Sequence, residues 1–425
     1  MTKEQLYEIY KSHPSVQTDT RKLKPGDIFF ALKGENFNGN SFVKQAIDSG
    51  AAYAITDEKE FEIAGKTILV ENVLASLQQL AKYHRQQFSI PVLAITGSNG
   101  KTTTKELIHA VLSTSFKTYT TEGNLNNHIG VPLTLLKIKK NAEIVIVEMG
   151  ANHLGEIASY CSWTLPTHGL ITNCGKAHLE GFGNLDGVKK AKGELFDHLL
   201  NNSGTAFVMW DYDYLREMSR GLPTIIKYGT TDADIEGKTI KSEPLLEAEI
   251  TKGTNLGHLK TQLVGEYNLA NVLAGVAVGK YFGVQDEKIK YAIENYSPSN
   301  SRSQLLKKGS NTIIMDAYNA NPSSMRLAIE NFSNQHASEK ILLLGAMAEL
   351  GKESLAEHKG IIDLIGQSKW KKVVLVGGDF MKIDNPYLKF ENPIQVKEWI
   401  QQQHFENTHM LIKGSRSMQM EKIIE

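Results

Sequence analysis

The chain has 425 residues and balances 47 basic against 47 acidic side chains, so its formal net charge is +0. That length exceeds what one hydrophobic core usually serves and implies about three domains, while a neutral total argues against a polyanion-binding surface and so against a nucleic-acid partner. Hydrophobic and charged contents of 41% and 22% are those of an ordinary globular protein, and the longest apolar stretch, around Val272 to Val278, is too short to span a bilayer.

The N-terminus, Met1-Thr2-Lys3-Glu4-Gln5, lacks the apolar core of a secretion signal, so a cytoplasmic protein is expected. Short strands and helices then alternate: a strand over Asp27–Leu32, a helix near Phe42–Ser49, a strand over Ala52–Ile55 and a helix from Leu74 to about Phe88. The first domain is therefore placed at residues 1–88. The second, 89–297, begins at Pro91 with the apolar run Ile90–Ile95 and repeats strand then helix. Strands are expected at Glu143–Glu148, Gly169–Thr172 and Thr205–Met209. Helices are expected after Thr102, around Leu154–Tyr160 and over Asp186–Leu200. Cys161 and Cys174 lie in apolar stretches of this segment and read as buried free thiols, not as a disulfide framework. A strand-like stretch, Ile235–Leu263, precedes a helix over Asn268–Tyr281.

After Ser297-Pro298-Ser299-Asn300-Ser301 the pattern restarts, which places a third domain at 298–425. Its expected strands are Thr312–Asp316, Lys340–Leu344, Lys372–Val376 and Met410–Lys413. Its expected helices are Ser323–Phe332, Ala356–Ile365 and one after Ser415. The fold class is α/β throughout: three α/β domains, the central one a phosphate-loop domain on a mostly parallel sheet, the C-terminal one doubly wound.

The chemistry concentrates in Gly97-Ser98-Asn99-Gly100-Lys101-Thr102-Thr103, between the Ile90–Ile95 strand and a helical stripe at Leu107, Ile108, Val111 and Leu112. Backbone N–H groups and the helix dipole there face an anion, the lysine adds a point charge, and the Thr102 hydroxyl can ligate Mg²⁺. The usual loop carries a further glycine where this chain has Ile95, so the loop is a short variant. Glu148 ends a strand expected to lie beside the loop strand, where an acid can hold the Mg²⁺ that bridges nucleotide phosphates; a helix cap or a surface acid is the bland alternative. His178 follows the next strand and is a metal or phosphate partner or a structural histidine. Lys192 lies in a lysine run that composition alone reads as solvated. Asp316 and Lys413 end strands of the third domain, where the carboxyl ends of an open sheet line the ligand crevice. These residues read as an NTP-using, Mg²⁺-dependent enzyme whose domains close over a substrate.

Longer blocks carry a resemblance. Asp19–Gly34, Thr96–Thr102, Asn124–Pro132, Glu148–Asn152, Asn173–Glu180, Ala191–Glu194, Gly265–Asn271, Asp316–Met325 and Leu411–Met418 occur in the order found in the Mur ligase family. The chain resembles that family over essentially its whole length. The resemblance implies ATP and Mg²⁺ as cofactors, UDP-N-acetylmuramoyl-tripeptide and D-alanyl-D-alanine as substrates joined through an acyl phosphate, and a monomer.

The resemblance also implies roles. Lys101, His178 and Lys192 are catalytic. Gly97, Ser98, Asn99, Gly100, Lys101, Thr102, Thr103, Asn268, Asn271, Arg302 and Asp316 hold the nucleotide. Thr102, Glu148, His178 and a carbamylated Lys192 hold the metal. Thr20, Arg21, Asn126, Asn127, Asn319, Lys413, Ser415 and Arg416 face the substrates. The chain departs from the family in having Tyr267 where a histidine is usual, and Phe37-Asn38-Gly39-Asn40 where Phe-Asp-Gly-His is usual. A sibling ligase, a phosphate-loop ATPase without an acyl acceptor, and an inactive binding module are the competing readings.

Overall fold

The computed structural model describes residues 2–299, 301–337 and 339–425; Met1, Asn300 of the expected second boundary, and Ser338 lie outside the described residues. Among the described residues the largest sheet has nine strands. Its order is Gly257–Lys260, Glu247–Lys252, Ile235–Lys241, Thr224–Gly229, Thr205–Met209, His168–Ile171, Val92–Thr96, Ile144–Glu148 and Thr118–Thr120. Pairing is parallel from Thr118–Thr120 across to Ile235–Lys241 and antiparallel beyond. The four strands at its centre are buried along their whole length, as a parallel sheet covered on both faces requires. The strand-like stretch 235–263 resolves into the three strands that extend this sheet at one edge.

Two strands flank the phosphate-loop strand in register: Ile95 pairs with Glu148 on one side, and Thr96 with Ile171 on the other. The carboxyl ends of all three therefore emerge together. The helix Lys101–Ser113 buries Leu107, Ile108, Val111 and Leu112, the stripe read from the sequence. Against it packs Leu269–Tyr281, whose residues Asn271–Gly279 are all buried.

An N-terminal four-stranded parallel sheet is formed by Val16–Gln17, Ile28–Phe30, Tyr53–Thr56 and Thr67–Leu69. The helix Val73–Arg85 ties it to the central unit, because Arg85 donates to the carbonyls of Thr164 (2.9 Å) and Leu165 (3.3 Å). One apolar core runs from Leu6 through to Ile293 across this junction.

The C-terminal sheet orders Gln304–Lys308, Asn311–Asp316, His409–Lys413, Lys340–Gly345, Lys372–Val376 and Leu388–Phe390, parallel except for the first. It is doubly wound. Met325, Ile329 and Phe332 of the helix Pro322–Ser333 pack with Leu342 and Leu411 on one face, while Val396 of Pro393–Gln403 packs with Ile341 and Ile412 on the other. Pro322–Ser333 starts where it does because Asn321 and Ser324 form a capping box with proline in the first turn.

The helix expected after Ser415 is not an α-helix. The chain makes two 3₁₀ turns, Arg416–Met418 and Met420–Ile423, because Gln419 between them is left-handed at φ +51° and breaks the α ladder. The helices Lys3–Ser12, Asp286–Asn295 and Pro393–Gln403 were not among the expected elements. No described helix is long and apolar enough to cross a membrane. Cys161 and Cys174 are free and buried, as expected, and burial pushes both thiols up to about 12.

Candidate active site

A cleft of about 780 Å³ opens at the carboxyl ends of the central strands and is roofed by the C-terminal unit. From the loop it takes Ser98 to Thr103, from one neighbouring strand Glu148, from the loop after the other His178, and from the C-terminal unit Arg302, Asp316, Asn319, Lys413, Ser415 and Arg416.

The loop is built for close approach. Gly97 has φ +141°, and a Cβ there would lie 2.0 Å from Thr172 Oγ1. That hydroxyl is already committed, donating to the Asn99 carbonyl at 2.6 Å. The Ser98 and Asn99 amides donate to the Asn173 carbonyl (2.9 Å) and to its side-chain Oδ1 (3.0 Å). Their use inside the protein leaves the first turn of Lys101–Ser113 as the open donor set, since left-handed Gly100 precedes it and no side chain caps it. Such an end is an anion site. Gly97→Ala is expected to cost about 1–3 kcal/mol of stability through backbone strain alone, read as a lower urea midpoint. An unchanged midpoint would show that the loop can relax around a Cβ.

Lys101 folds back on its own loop, its Nζ donating to the carbonyls of Gly97 (2.7 Å) and Ser98 (3.2 Å). Burial lowers its pKa, and Glu148 opposes that shift. Glu148 is buried. Its Oε1 accepts from the Thr102 hydroxyl (3.0 Å) and from Asn126 Nδ2 (2.8 Å). Its Oε2 is buried with no hydrogen-bond partner, and the nearest cation is Lys105 Nζ at 3.9 Å. An orphaned carboxylate oxygen beside a threonine hydroxyl is a hard oxygen donor set, and it fits Mg²⁺. That ion commonly takes one or two carboxylates and completes its shell with water and substrate phosphate. No group of three or more His, Cys, Asp or Glu able to cage a metal occurs among the described residues.

His178, at φ +52°, turns toward the C-terminal unit, with Nδ1 2.5 Å from Glu349 Oε2. Lys192 is buried and does not line the cleft; its Nζ donates to the Ala151 carbonyl at 3.1 Å and lies over the Phe182 ring. Burial first, and the Lys101 charge second, push its pKa down to about 7. Asn268 and Asn271 are buried and line the cleft beside the loop, where Asn271 Nδ2 donates to Asn268 Oδ1 at 2.8 Å and the Thr104 hydroxyl donates to Asn271 Oδ1 at 2.9 Å.

Asp316 and Lys413 are register partners on adjacent parallel strands, and Lys413 Nζ donates to Asp316 Oδ2 at 2.5 Å. The Arg302 guanidinium stacks on the Tyr318 ring at 3.4 Å. Ser415 Oγ donates to the Ala346 carbonyl (2.7 Å), and Arg416 is exposed and paired with Glu421 (2.7 Å). Asn127 lines the cleft, although its side chain caps the amide of Gly130 at 2.9 Å.

Thr20 and Arg21 stand apart from this cleft. Arg21 is exposed and bound to Asp19, whose carboxyl its hydrogen bonds hold down at about 2. The two departures from the family pattern have local causes. Asn38 donates to both oxygens of Glu58 (3.1 and 3.0 Å), and Asn40 to Asp57 (2.9 Å), so an aspartate at 38 would set carboxylate against carboxylate. Tyr267 reaches Ser303 Oγ at 3.0 Å, at the join of the central and C-terminal units.

Sequence reasoning missed Lys105 and Glu349. Lys105 is fully buried, its Nζ donating to the Thr121 carbonyl at 2.6 Å. Its place three residues before Ile108 and seven before Leu112 puts it on the buried stripe, a signal that was available. Glu349 lies beyond the end of the Lys340–Gly345 strand, outside the strand-end rule that picked out Asp316.

A phosphate loop with an acid on the adjacent strand, enclosed by a second α/β unit, defines a multi-unit nucleotide-dependent enzyme. The description "Mur ligase middle domain" matches residues 95–279, "Mur ligase, glutamate ligase domain" residues 301–416, and "Mur ligase family, catalytic domain" residues 14–87. The chain belongs to the Mur ligase family. It is 35% identical to the UDP-N-acetylmuramoyl-tripeptide–D-alanyl-D-alanine ligase of Bacillus subtilis, over 96% of this chain and 92% of that protein. Among solved structures it is similar to MurF from Acinetobacter baumannii (31% identity, TM-score 0.88, covering 100% of this chain and 97% of that one). It is also similar to the MurF ligase of Thermotoga maritima in complex with ADP (26% identity, TM-score 0.86, 96% of each chain).

Proposed function

We propose that this chain is an ATP-dependent ligase that joins D-alanyl-D-alanine to the peptide carboxylate of UDP-N-acetylmuramoyl-tripeptide. It would act in the cytoplasm, as a monomer, in the cell-wall precursor synthesis that growth and division require. The observation that carries this reading is 35% identity over 96% of the chain to a ligase of that name. The convergence of Lys101, Glu148, His178, Asp316 and Lys413 on one cleft supports it. The three α/β units correspond to segments 1–88, 89–297 and 298–425.

ATP is needed because a carboxylate is a poor electrophile. A tripeptide carboxylate oxygen attacks the γ-phosphorus and ADP leaves. The dipeptide amine then attacks the acyl carbon of the acyl phosphate, loses a proton, and inorganic phosphate leaves. Positioning and charge neutralisation carry most of such a transfer. Lys101 exchanges its loop carbonyls for the β- and γ-phosphates, and the open first turn of its helix, with Thr103, supplies amides. Thr102, Glu148 and His178 would hold Mg²⁺, which when bound neutralises phosphate charge. Asn268 and Asn271 shape the adenine side, and Arg302 and Asp316 reach the nucleotide from the C-terminal unit. Asn126, Asn127, Asn319, Lys413, Ser415 and Arg416 serve the acceptor and peptide side, and Thr20 and Arg21 the nucleotide end of the muramoyl substrate.

The deciding measurement is phosphate release with UDP-muramoyl-tripeptide and D-alanyl-D-alanine, each omitted in turn and each replaced by single amino acids. Release that needs both substrates is expected. Turnover indifferent to either would mean an ATPase, and preference for a single amino acid a sibling ligase.

Lys192 is expected to be carbamylated: its neutral amine attacks CO₂, a proton departs, and a carboxylate-like metal ligand results. With its pKa at about 7, the reactive neutral form grows as pH rises through that value. The unmodified amine also binds fewer protons folded than unfolded above that pH. Its cost to stability therefore fades as pH rises toward the ordinary lysine value. A carbamate ¹³C resonance should appear with labelled bicarbonate, and Lys192→Ala should slow turnover about 10–100-fold. An unmodified Lys192, with neither CO₂ nor the substitution affecting rate, would refute this.

A further inference from the structure

The loop that carries His178 is clasped by the C-terminal unit at several points. The Lys176 amide donates to Ser323 Oγ at 2.9 Å, and Lys176 Nζ pairs with Glu357 at 2.5 Å. The Glu180 amide donates to the Glu349 carbonyl at 3.3 Å, and Leu179 is buried in the C-terminal apolar core. Within this seam one contact differs from the rest, because it grips a residue of the cleft itself. His178 Nδ1 lies 2.5 Å from Glu349 Oε2. Both residues line the cleft.

Neither backbone is relaxed. His178 has φ +52° and Glu349 φ +60°, the left-handed region that side chains other than glycine seldom occupy. Such outliers persist where surrounding structure over-determines them, and they gather at functional sites. Here each loop's unusual turn delivers its side chain to the other. The contact is a close approach of a carboxylate oxygen to a ring nitrogen without hydrogen-bond alignment, since Nδ1 has no partner of hydrogen-bond geometry. It therefore depends on the two units being docked.

We propose that Glu349 is a positioning residue through which docking of the C-terminal unit sets the His178 ring in the cleft, so that domain closure completes the site. A carboxylate against one nitrogen of an imidazole fixes the ring's orientation and leaves the other nitrogen to face the cleft. Undocking of the C-terminal unit would take that partner from the ring. ATP binding alone would then leave His178 unplaced, and only closure over the acceptor would align it. This inference rests on the ligase reading for the identity of the reaction, but the contact itself does not.

The test compares Glu349→Gln and Glu349→Asp with Glu357→Gln, which breaks a different bond of the same seam. Phosphate release, ADP affinity, small-angle scattering and the His178 ring resonances of the full chain are read, with the resonances assigned by His178→Asn. Glu349→Gln is expected to lower kcat about 10–100-fold, to leave KM for ATP and ADP affinity near wild type, and to shift the His178 resonances. Glu349→Asp should restore part of kcat, and Glu357→Gln should change none of these. Unmoved His178 resonances in Glu349→Gln would overturn the proposal, as would an equal loss in Glu357→Gln, which would reduce the contact to general adhesion. If the wild-type chain releases no phosphate with the two substrates, the ligase reading fails; the resonances still decide the positioning role.

Discussion

Lys101→Ala is expected to abolish ligation while leaving the fold intact. Without substrate, Lys101 Nζ bonds to the carbonyls of Gly97 and Ser98 in its own loop. Those bonds offset the cost of partly burying an ammonium, a cost visible in the downward shift of its pKa. Removing the side chain removes bonds and desolvation cost together, so the change in stability should stay within about 1 kcal/mol. Catalysis has no such compensation. The lysine is the cation of the loop, and without it the loop would offer the charge on the transferred phosphoryl group backbone amides alone. Loss of one preorganised donor costs about 10²–10³-fold in kcat, and a charged one at the reacting phosphate should reach at least the upper end. Phosphate release and a urea unfolding curve on one preparation check both halves. Substantial ligation by the mutant would remove Lys101 from the site, and a collapsed unfolding midpoint would make its role structural.

What was legible in the sequence divides along chain distance. The phosphate loop was readable because strand, glycines, Lys101 and helix are contiguous, and the same local grammar placed the helices Lys101–Ser113 and Pro322–Ser333. Glu148, Asp316 and Lys413 were readable one step further out, because the end of a parallel strand is a position with a meaning. The register confirms that step: Ile95 pairs with Glu148, and Asp316 with Lys413. Glu349 was not reached, since its significance comes from His178, on a loop of another unit. Lys105 escaped because a lysine reads as solvated by type, although its spacing from Ile108 and Leu112 put it on the stripe that is buried beside Thr121 and Glu148. The resemblance carried Lys192 and Asn126 into the site, but it gave no hint that one sits buried behind the cleft and the other holds Glu148. The failure after Ser415 is also physical. Gln419 adopts a left-handed turn that no local rule assigns to glutamine.

Glu148→Gln separates charge from shape more sharply than any other substitution in the cleft. The two side chains are nearly isosteric, and the amide oxygen can still accept from Thr102 and Asn126, the bonds that Oε1 now accepts at 3.0 and 2.8 Å. The amide nitrogen takes the place of Oε2, which has no hydrogen-bond partner to lose. Its hydrogens face Lys105 Nζ, now 3.9 Å from that oxygen, and this mild repulsion is the main structural cost. Lys105 keeps its bonds to the Thr121 carbonyl (2.6 Å) and to Glu106 (2.8 Å), so it is not stranded. A loss of about 1–2 kcal/mol in stability is expected, within the range for one imperfectly paired buried polar group. Activity responds to a different quantity. A neutral amide cannot supply the anionic oxygen that the Thr102–Glu148 pair offers a divalent cation. Mg²⁺-dependent phosphate release should therefore fall about 10²–10³-fold, and the Mg²⁺ concentration for half-maximal rate should rise. Mg²⁺ titrations of rate and of ADP affinity read this directly. If Glu148→Gln kept the wild-type Mg²⁺ dependence, the orphaned oxygen would have to be explained by Lys105 alone.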